Sequence, residues 1–536
     1  MSRFVRSSKY RHVFGRPTKK EQCYDNLHIS KNAWDSNLIK ANPKYLSVNW
    51  ESGGGGAFAV IPHGEKGKLP DQIPLFRGHT AAVLDTDWNP FHDDIVVSAS
   101  DDAKIFVWKV PEDFTVHVDE EELPSKEVKP EARLSGHQKK VGHVLFHPAA
   151  EHVLASSSGD FTVKIWDIVS GQAKLTLKHL DVIQSMSFNA DGSILATTNR
   201  DKKLRLWDLR QQAPVYEGPG HAGAKNSRAV WLGDLDRIAT TGFSRMSDRQ
   251  LGLWDIRKPA EPIGGFQLLD SMSGVCMPFW DDGTKCLYLA GKGDGNIRYY
   301  EYSNDDFVFL SEYKSADPQR GVAFVPKRGV DVRENEVMRG YKTVNDLYIE
   351  PISFIVPRRA ETFQDDIYPD TQSGKPGLTG DEWFGGKNAL PPTFSLGTLY
   401  SDDYVPPEPS PPLPKHEPVF SPTTPITPVI AKEPEPPAPE PVAAVEEAPE
   451  PETPTVVVES PKEAPAPAPA PIVTISPPES STPAGPAISG QDLNSVLSNL
   501  QLLHHNLAAQ SRAIAQQQDI CSKLIKEVEA LKAKTK

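Results

Sequence analysis

Between Gly136 and Asp167, apolar and polar residues alternate in three short runs, VGHVLFH, HVLASSS and FTVKIWD. A period of two is that of a strand with one face buried. The His-Pro and Gly-Asp pairs between the runs are turn chemistry. The stretch opens on Gly-His and closes on Trp-Asp, the marks of a WD repeat, roughly one four-stranded blade of a β-propeller. The pattern recurs. Gly78-His79 leads to Trp108, His179 to Trp207-Asp208, and Gly220-His221 to Trp254-Asp255. A fifth, degraded copy ends at Tyr300-Glu301, and Asp102, Asp160, Asp201, Asp248 and Asp294 each stand six residues before the terminal aromatic.

That spacing predicts a buried network. A tight turn brings each aspartate back over the sheet, within reach of the repeat's histidine: His79, His137, His179 or His221. The histidine then orients a strand hydroxyl, Ser100 or Ser158, against the indole N–H of Trp108 or Trp166, with Trp207 and Trp254 in the same place in later repeats. Such a network holds only if every member is satisfied. In repeat four Met246 stands where a small hydroxyl is expected, and repeat five has no Gly-His. Because the set recurs, these histidines and aspartates are fold glue rather than catalytic triads.

Before the first Gly-His, YLSVNW and AFAVIP are strand-like and flank ESGGGG. In a closed propeller the N-terminal strand completes the last blade and removes an open sheet edge. The run Gly53–Gly56 lacks the Lys-Ser/Thr and the helix of a phosphate loop, and reads as a hairpin turn. GKGDGNIRYYEY is followed by a strand, so it offers no helix N-terminus to a phosphate. The polar, acidic stretch 111–132 predicts a solvated surface loop. FVFLSEY, GVAFVP and DLYIEPISFIV within 303–356 predict two further, divergent blades. The fold class is therefore all-β: a WD-repeat propeller over 1–356, a bracing extension over 357–404, a disordered linker over 405–490 and a helical coiled coil over 491–536.

The last two segments follow from composition and period. Residues 405–490 hold 27 prolines and one aromatic, Phe420. They cannot bury a core and stay extended. Pro409–Pro412 and Pro411–Pro414 have the PxxP spacing of SH3 ligands, and Ser421, Thr424, Thr427 and Ser460 precede prolines as candidate phosphorylation sites. In the final segment Leu493, Leu500, Leu507, Ile514, Cys521 and Val528 alternate with Val496, Leu503, Gln510, Gln517, Leu524 and Leu531 in an unbroken 3–4 heptad. This is the seam of a parallel coiled coil that makes a homo-oligomer, with the two glutamines setting register or strand number.

The net charge of −13 is unevenly spread: residues 1–68 carry 12 Lys/Arg against 5 Asp/Glu, and residues 405–490 carry 3 Lys against 12 Glu. Four distant cysteines without metal spacing point to a reducing, intracellular setting and no metal. No run approaches the length of a membrane span, and the basic opening lacks the apolar core of a secretory signal. There is no P-loop, HExxH, CxxC pair or Gly-x-Ser-x-Gly elbow, so no enzyme and no cofactor is expected. The basic N-terminus lacks the stacking strips or reading helix of a nucleic-acid binder.

Outside the generic repeats, SSKYRHVFGRP (Ser7–Pro17), the following QCYDNLHISKNAWDS, PFWDDGTKCLYLAGKGDGNIRYYEY (Pro278–Tyr302), PRRAETFQDDIYPDT and DEWFGGKNA resemble the coronins, actin-binding WD-repeat proteins. The single propeller with a terminal coil looks like the short type, and the acidic, proline-rich linker like fungal members. The resemblance implies seven blades, although five repeats are legible. It implies binding to the side of actin filaments, crosslinking, and a C-terminal region that engages the actin-related-protein complex which nucleates branches. It also implies cooperation with cofilin and a place in the cytoplasm at cortical actin patches, with a role in endocytosis. A basic residue in the family's QCY segment touches the filament; His28 stands near that position. With the basic residues around it, Arg6, Lys9, Arg11, Lys19, Lys20 and Lys31, it forms the candidate actin-binding set. The family's trimer signature is not intact, since Arg512 is followed by Ala513. The competing reading is a scaffold that gathers SH3 or phospho-protein partners without touching actin.

Overall fold

The computed structural model describes residues 7–401 apart from 120, 360 and 361, together with 403. Arg6, the proline-rich linker with its PxxP spacings, and every heptad residue from Leu493 to Leu531 lie outside the described residues. The described chain forms a seven-bladed propeller. Six blades are four-stranded antiparallel sheets, spanning residues 39–79, 83–135, 141–178, 183–219, 228–270 and 276–313. The seventh is built on Val322–Phe324, Glu336–Val344 and Tyr348–Ile355.

Two expectations change here. Residues 303–356 supply one further blade rather than two, because Asp306–Tyr313 is the outer strand of the sixth blade. The remaining blade is the first, made of YLSVNW, AFAVIP and their neighbours and bearing Gly78-His79 on its outer strand. It lacks a Trp-Asp of its own, so it left no repeat signature. Ring closure falls instead to residues further upstream. Phe14–Pro17 pairs antiparallel with Tyr348–Ile355, Phe14 opposite Ile355 and Pro17 opposite Ile352, and Tyr24 pairs with Ile349. The last sheet edge is thereby covered by the chain's own beginning.

The first strand of each blade lines the axis. Together they surround a cavity of about 380 Å³ that includes Lys40, Asp85, His143, Gln184 and Arg228. Lys40 and Asp87 form an ion pair of 2.9 Å beside it. The loop after the second blade's third strand is not wholly solvated: Val116 is buried with Leu69, Ile73 and Leu75, and its N–H donates to Glu65 at 2.9 Å. The other described residues of that loop are exposed or half-buried, as its polarity predicts, and Val116 is its one buried anchor before Ala132 re-enters the sheet.

Beyond Pro357 the chain crosses back over the propeller. The Tyr368 hydroxyl donates to the Glu336 carbonyl at 2.9 Å. The N–H groups of Gly377 and Leu378 both donate to Ala149 O, at 2.9 and 3.3 Å. Thr379 and Glu382 form a capping box that starts the short helix Gly380–Phe384. That helix drives Trp383 into the cluster of Ala150, Val153, Phe188, Leu195 and Leu209, between the third and fourth blades. Arg210 lies over the indole, 4.5 Å from the ring centroid. Trp383→Ala should therefore cost about 3–5 kcal/mol, read as a lower urea midpoint, and should render residues 370–400 sensitive to limited proteolysis before the blades unfold.

Candidate functional site

The repeated histidines sit where one blade meets the next. His79 ends the outer strand of the first blade, while its partners belong to the second. Its Nδ1 lies 2.9 Å from Asp102 and its Nε2 lies 2.8 Å from Ser98, whose Oγ is 2.8 Å from Trp108 Nε1. Indole can only donate and carboxylate only accept, so the chain has one direction. Trp108 donates to Ser98, Ser98 to His79 and His79 to Asp102. His137, Asp160, Ser156 and Trp166 repeat it with separations of 2.9, 2.8 and 2.7 Å. The hydroxyls are thus Ser98 and Ser156, not Ser100 and Ser158. The latter pair instead donate to the carbonyls of Ala81 and Lys139 in the adjoining turns. Positions two apart share a strand face, so alternation could not choose between them.

The network then degrades along the chain. In repeat three Trp207 donates to Thr197 at 3.1 Å, but His179 meets Asn199, and Asp201 is drawn away by Arg205 at 2.6 Å. In repeat four Thr240 joins His221 and Trp254 at 2.9 and 2.7 Å. The hydroxyl expected near Met246 is therefore present as Thr240, and Met246 is exposed in the turn. That turn is longer, placing the hydroxyl 14 residues before the tryptophan rather than 10. Asp248 bonds Ser244 rather than His221, and Asp294 bonds Arg249. Asp160 sits at about 2: burial would raise it, but hydrogen bonds from Thr162, Gln138 and His137 outweigh that cost. Burial holds His179 and His221 down to about 4, so both are neutral near pH 7.

The sequence did not point to a second constellation, at the mouth of the central channel. Residues 30–37 run across it. The Trp34 indole donates to Gly142 O at 2.8 Å, with Lys140 4.7 Å from its ring centroid. A Cβ on Gly142 would lie 2.2 Å from that indole, so the approach requires glycine. Asp35 meets Arg228 at 2.7 Å and Lys292 at 2.8 Å. Burial opposes its charge, but these two cations hold its carboxyl far below the usual range. Arg320 reaches back to the carbonyls of Ser30 and Asn32, each at 3.3 Å. The segment is thereby tied to the third, fifth, sixth and seventh blades. Its only signal in the sequence was an aromatic-acid pair in a stretch without period.

The basic N-terminal residues do not form one patch. Lys9 donates to the Asp366 carbonyl at 2.9 Å, and Lys9 and Arg11 precede the strand whose Phe14 is opposite Ile355. Lys20 stands 6.0 Å from the Tyr348 ring, at the other end of the same neighbouring strand, and Lys19 beside it is exposed. A strand of that length separates the two groups by roughly 20 Å. His28 and Lys31 lie near Lys20's end: the His28 ring is edge-on to Trp50 at 5.5 Å, and the Lys31 N–H donates to Glu51 at 2.8 Å. Both side chains are exposed. The same end carries the turns that hold Lys139, Lys202 and Arg245, all exposed, and Arg200, which is exposed but paired with Asp181 at 2.8 Å.

Residues 3–68 match the family model described as Domain of unknown function (DUF1899). Residues 71–109, 128–167 and 171–208 match the WD domain, G-beta repeat, and 349–391 a type of WD40 repeat. The chain is 66% identical over 398 residues to Coronin-like protein crn1 of Schizosaccharomyces pombe, covering 74% of this chain and 65% of that relative, just under two thirds of its length. It is 48% identical over 399 residues to Coronin-A of Dictyostelium discoideum, covering 74% and 87%. The WD40 domain from Toxoplasma gondii coronin superposes with a TM-score of 0.68 at 32% identity, covering 72% of this chain and 97% of that domain.

Ser156→Ala leaves both His137 Nε2 and the Trp166 indole N–H buried without a partner. It should destabilise the propeller by about 2–4 kcal/mol, against about 1 kcal/mol for Ser158→Ala, in paired urea titrations. Acid should weaken the fold earlier than carboxylates alone would. Burial holds His63, His147, His179 and His221 at about 4, whereas an unfolded histidine titrates near ~6.5. The unfolded chain takes up these protons first, so stability is complete above the unfolded value and declines from there towards pH 4. The urea midpoint should hold between pH 8 and pH 7 and fall steadily from about pH 6.5 towards pH 4.

Proposed function

Because the chain belongs to the coronin family, we propose that it binds the side of actin filaments through one cationic face of the propeller and gathers filaments by oligomerising through residues 491–536. Coronin membership and the propeller fold mark a non-enzymatic structural or regulatory protein. The observation that carries the reading is the distribution of charge. Lys20, His28 and Lys31 lie at the end of the ring that also bears Lys139, Arg200, Lys202 and Arg245, while Lys9 and Arg11 lie at the other end. An acidic filament surface would be attracted to the first group, with an association rate that falls as salt rises.

One propeller binds weakly on this reading. Joining copies through a coil raises avidity by ~10²–10⁴ where the linker spans both sites. A flexible chain the length of residues 405–490 extends roughly 50 Å root-mean-square, enough for neighbouring subunits or two filaments. The C-terminal region would couple filaments to the actin-related-protein branching complex, with cofilin as a partner in turnover and SH3 proteins as ligands of the linker, in the cytoplasm at the actin-rich cortex.

Co-sedimentation of the full chain with actin filaments across a salt series tests this. Binding should weaken steeply with salt. Lys31→Glu combined with Lys139→Glu and Lys140→Glu should weaken it at least tenfold, and Lys9→Glu with Arg11→Glu by less than twofold. Removing 491–536 should leave weak binding and abolish bundling. Absence of binding by a folded chain would reject the filament reading, and undiminished bundling by the truncated chain would reject the role given to the coil.

A further inference from the structure

At the opposite end of the ring from the basic face, two turns of adjacent blades bring together three side chains. His92 lies in the turn joining Val83–Trp88 to Ile95–Ser100 of the second blade. Glu151 and His152 lie in the equivalent turn of the third, between Val141–Phe146 and Val153–Ser158. Glu151 Oε1 is 2.6 Å from His92 Nε2 and 3.4 Å from His152 Nε2. One ligand atom from each residue lies within 4.8 Å of the other two. The imidazoles are nearly parallel, at 11° with centroids 5.6 Å apart.

The His92–Glu151 hydrogen bond joins the two turns but leaves other polar atoms of the group unused. The Nδ1 atoms of His92 and His152 are buried and make no hydrogen bond. His152 holds a left-handed backbone, φ +59°, an uncommon conformation in which histidine, asparagine and aspartate are the enriched non-glycine residues. Strain of that kind is kept where the surroundings over-determine it. Those surroundings are firm. Asn89 Oδ1 accepts from the N–H of Phe91 and of His92, at 2.8 and 3.1 Å. Ile168 N–H donates to His152 O at 2.9 Å, and Glu151 N–H donates to Leu378 O at 3.0 Å. The three side chains are mostly covered yet reachable, at 12, 13 and 23% exposure for His92, His152 and Glu151.

We propose that His92, Glu151 and His152 bind a divalent transition metal of the zinc class. Two imidazole nitrogens and one carboxylate oxygen suit such an ion, and a water would fill the fourth position. Bonds of ~2.0–2.1 Å in a tetrahedron set ligands about 3.3 Å apart. The Glu151–His152 separation already has that value, and the Glu151–His92 contact opens by less than 1 Å. On binding, the Nε2 proton of His92 moves to Nδ1, so that both imidazoles present Nε2 lone pairs and the hydrogen bond to Glu151 is replaced by the shared ion. Because each Nδ1–H then stays buried without a partner, affinity is micromolar rather than that of a closed structural site. The ion clamps the second blade to the third and, through the Glu151 backbone, the post-propeller extension to both.

The test uses full-length protein stripped with a chelator and titrated with zinc sulfate by calorimetry. One ion per chain, with a dissociation constant in the micromolar range, is expected. Zinc should raise the melting temperature by several degrees and slow hydrogen exchange in residues 89–94 and 147–152. The His92→Gln/His152→Asn double variant, whose asparagine tolerates the left-handed backbone, should lose at least tenfold in affinity. Zinc uptake without protection of those two turns in the wild-type chain overturns the proposal whether or not the variant folds. So does unchanged binding by a folded double variant, as capture by His504 and His505 would give, or no binding at 100 µM zinc.

Discussion

The propeller depends on a hydrogen-bonded chain that begins in one blade and ends in another. His79 and His137 close outer strands, while the serine, tryptophan and aspartate they join lie in the blade that follows. Sheets packed face to face would slide over one another if only dispersion held them. A buried chain with a single direction of donation fixes their register, because a shift leaves several polar groups unpaired in a low-dielectric interior. The clamp is complete in two junctions and partial in the next two. Further along the chain ion pairs take up the turn aspartates: Arg205 with Asp201 and Glu217 inside the fourth blade, then Arg249 with Asp270 of its own blade and Asp294 of the sixth. Only the Arg249–Asp294 pair among these crosses a junction, with a charge-assisted bond between the fifth and sixth blades.

A ring also needs an end to meet a beginning. Here the N-terminal segment performs closure twice, first as the outer strand of the seventh blade and then as the cover over the channel mouth. That double use explains why its excess of positive charge does not make a single patch. The chain runs the length of a blade between Arg11 and Lys20, so cations adjacent in sequence emerge at opposite ends of the ring. Local net charge is a property of a segment; a cationic surface is a property of its path.

Legibility followed period. Strands, turns and the repeat spacing were readable because alternation, turn residues and fixed intervals are local. The first blade was not, since it carries no Trp-Asp and borrows its legible Gly-His from the junction with the second. Ser98 and Ser100 share a strand face, so only the register against Trp108 distinguishes them. Thr240 leaves no such mark because a longer turn sets it 14 residues before Trp254 rather than 10. Trp34, Asp35 and Trp383 sit in aperiodic stretches, and their partners, Gly142, Arg228 and Arg210, are more than 100 residues away. Long-range pairing of single residues leaves no pattern in one sequence.

The cover over the channel joins closure to surface. Residues 26–37 carry His28 and Lys31 outward while Trp34 and Asp35 hold the same segment down on three blades and Arg320 ties it to a fourth. A face built on such a segment is positioned only when the ring is closed, because Asp35 meets Arg228 and Lys292 from different blades. Removing the Asp35 carboxylate would leave Arg228 and Lys292 without their shared counter-charge, held to the segment only through Asn37 Oδ1 and the backbone carbonyls of residues 35 and 36. The segment is therefore pre-organised by the same ion pairs that finish the fold, and on the filament reading proposed above little ordering cost would remain on binding. A partner whose contacts fell on that segment would in turn oppose its lifting, so binding and ring closure would reinforce one another.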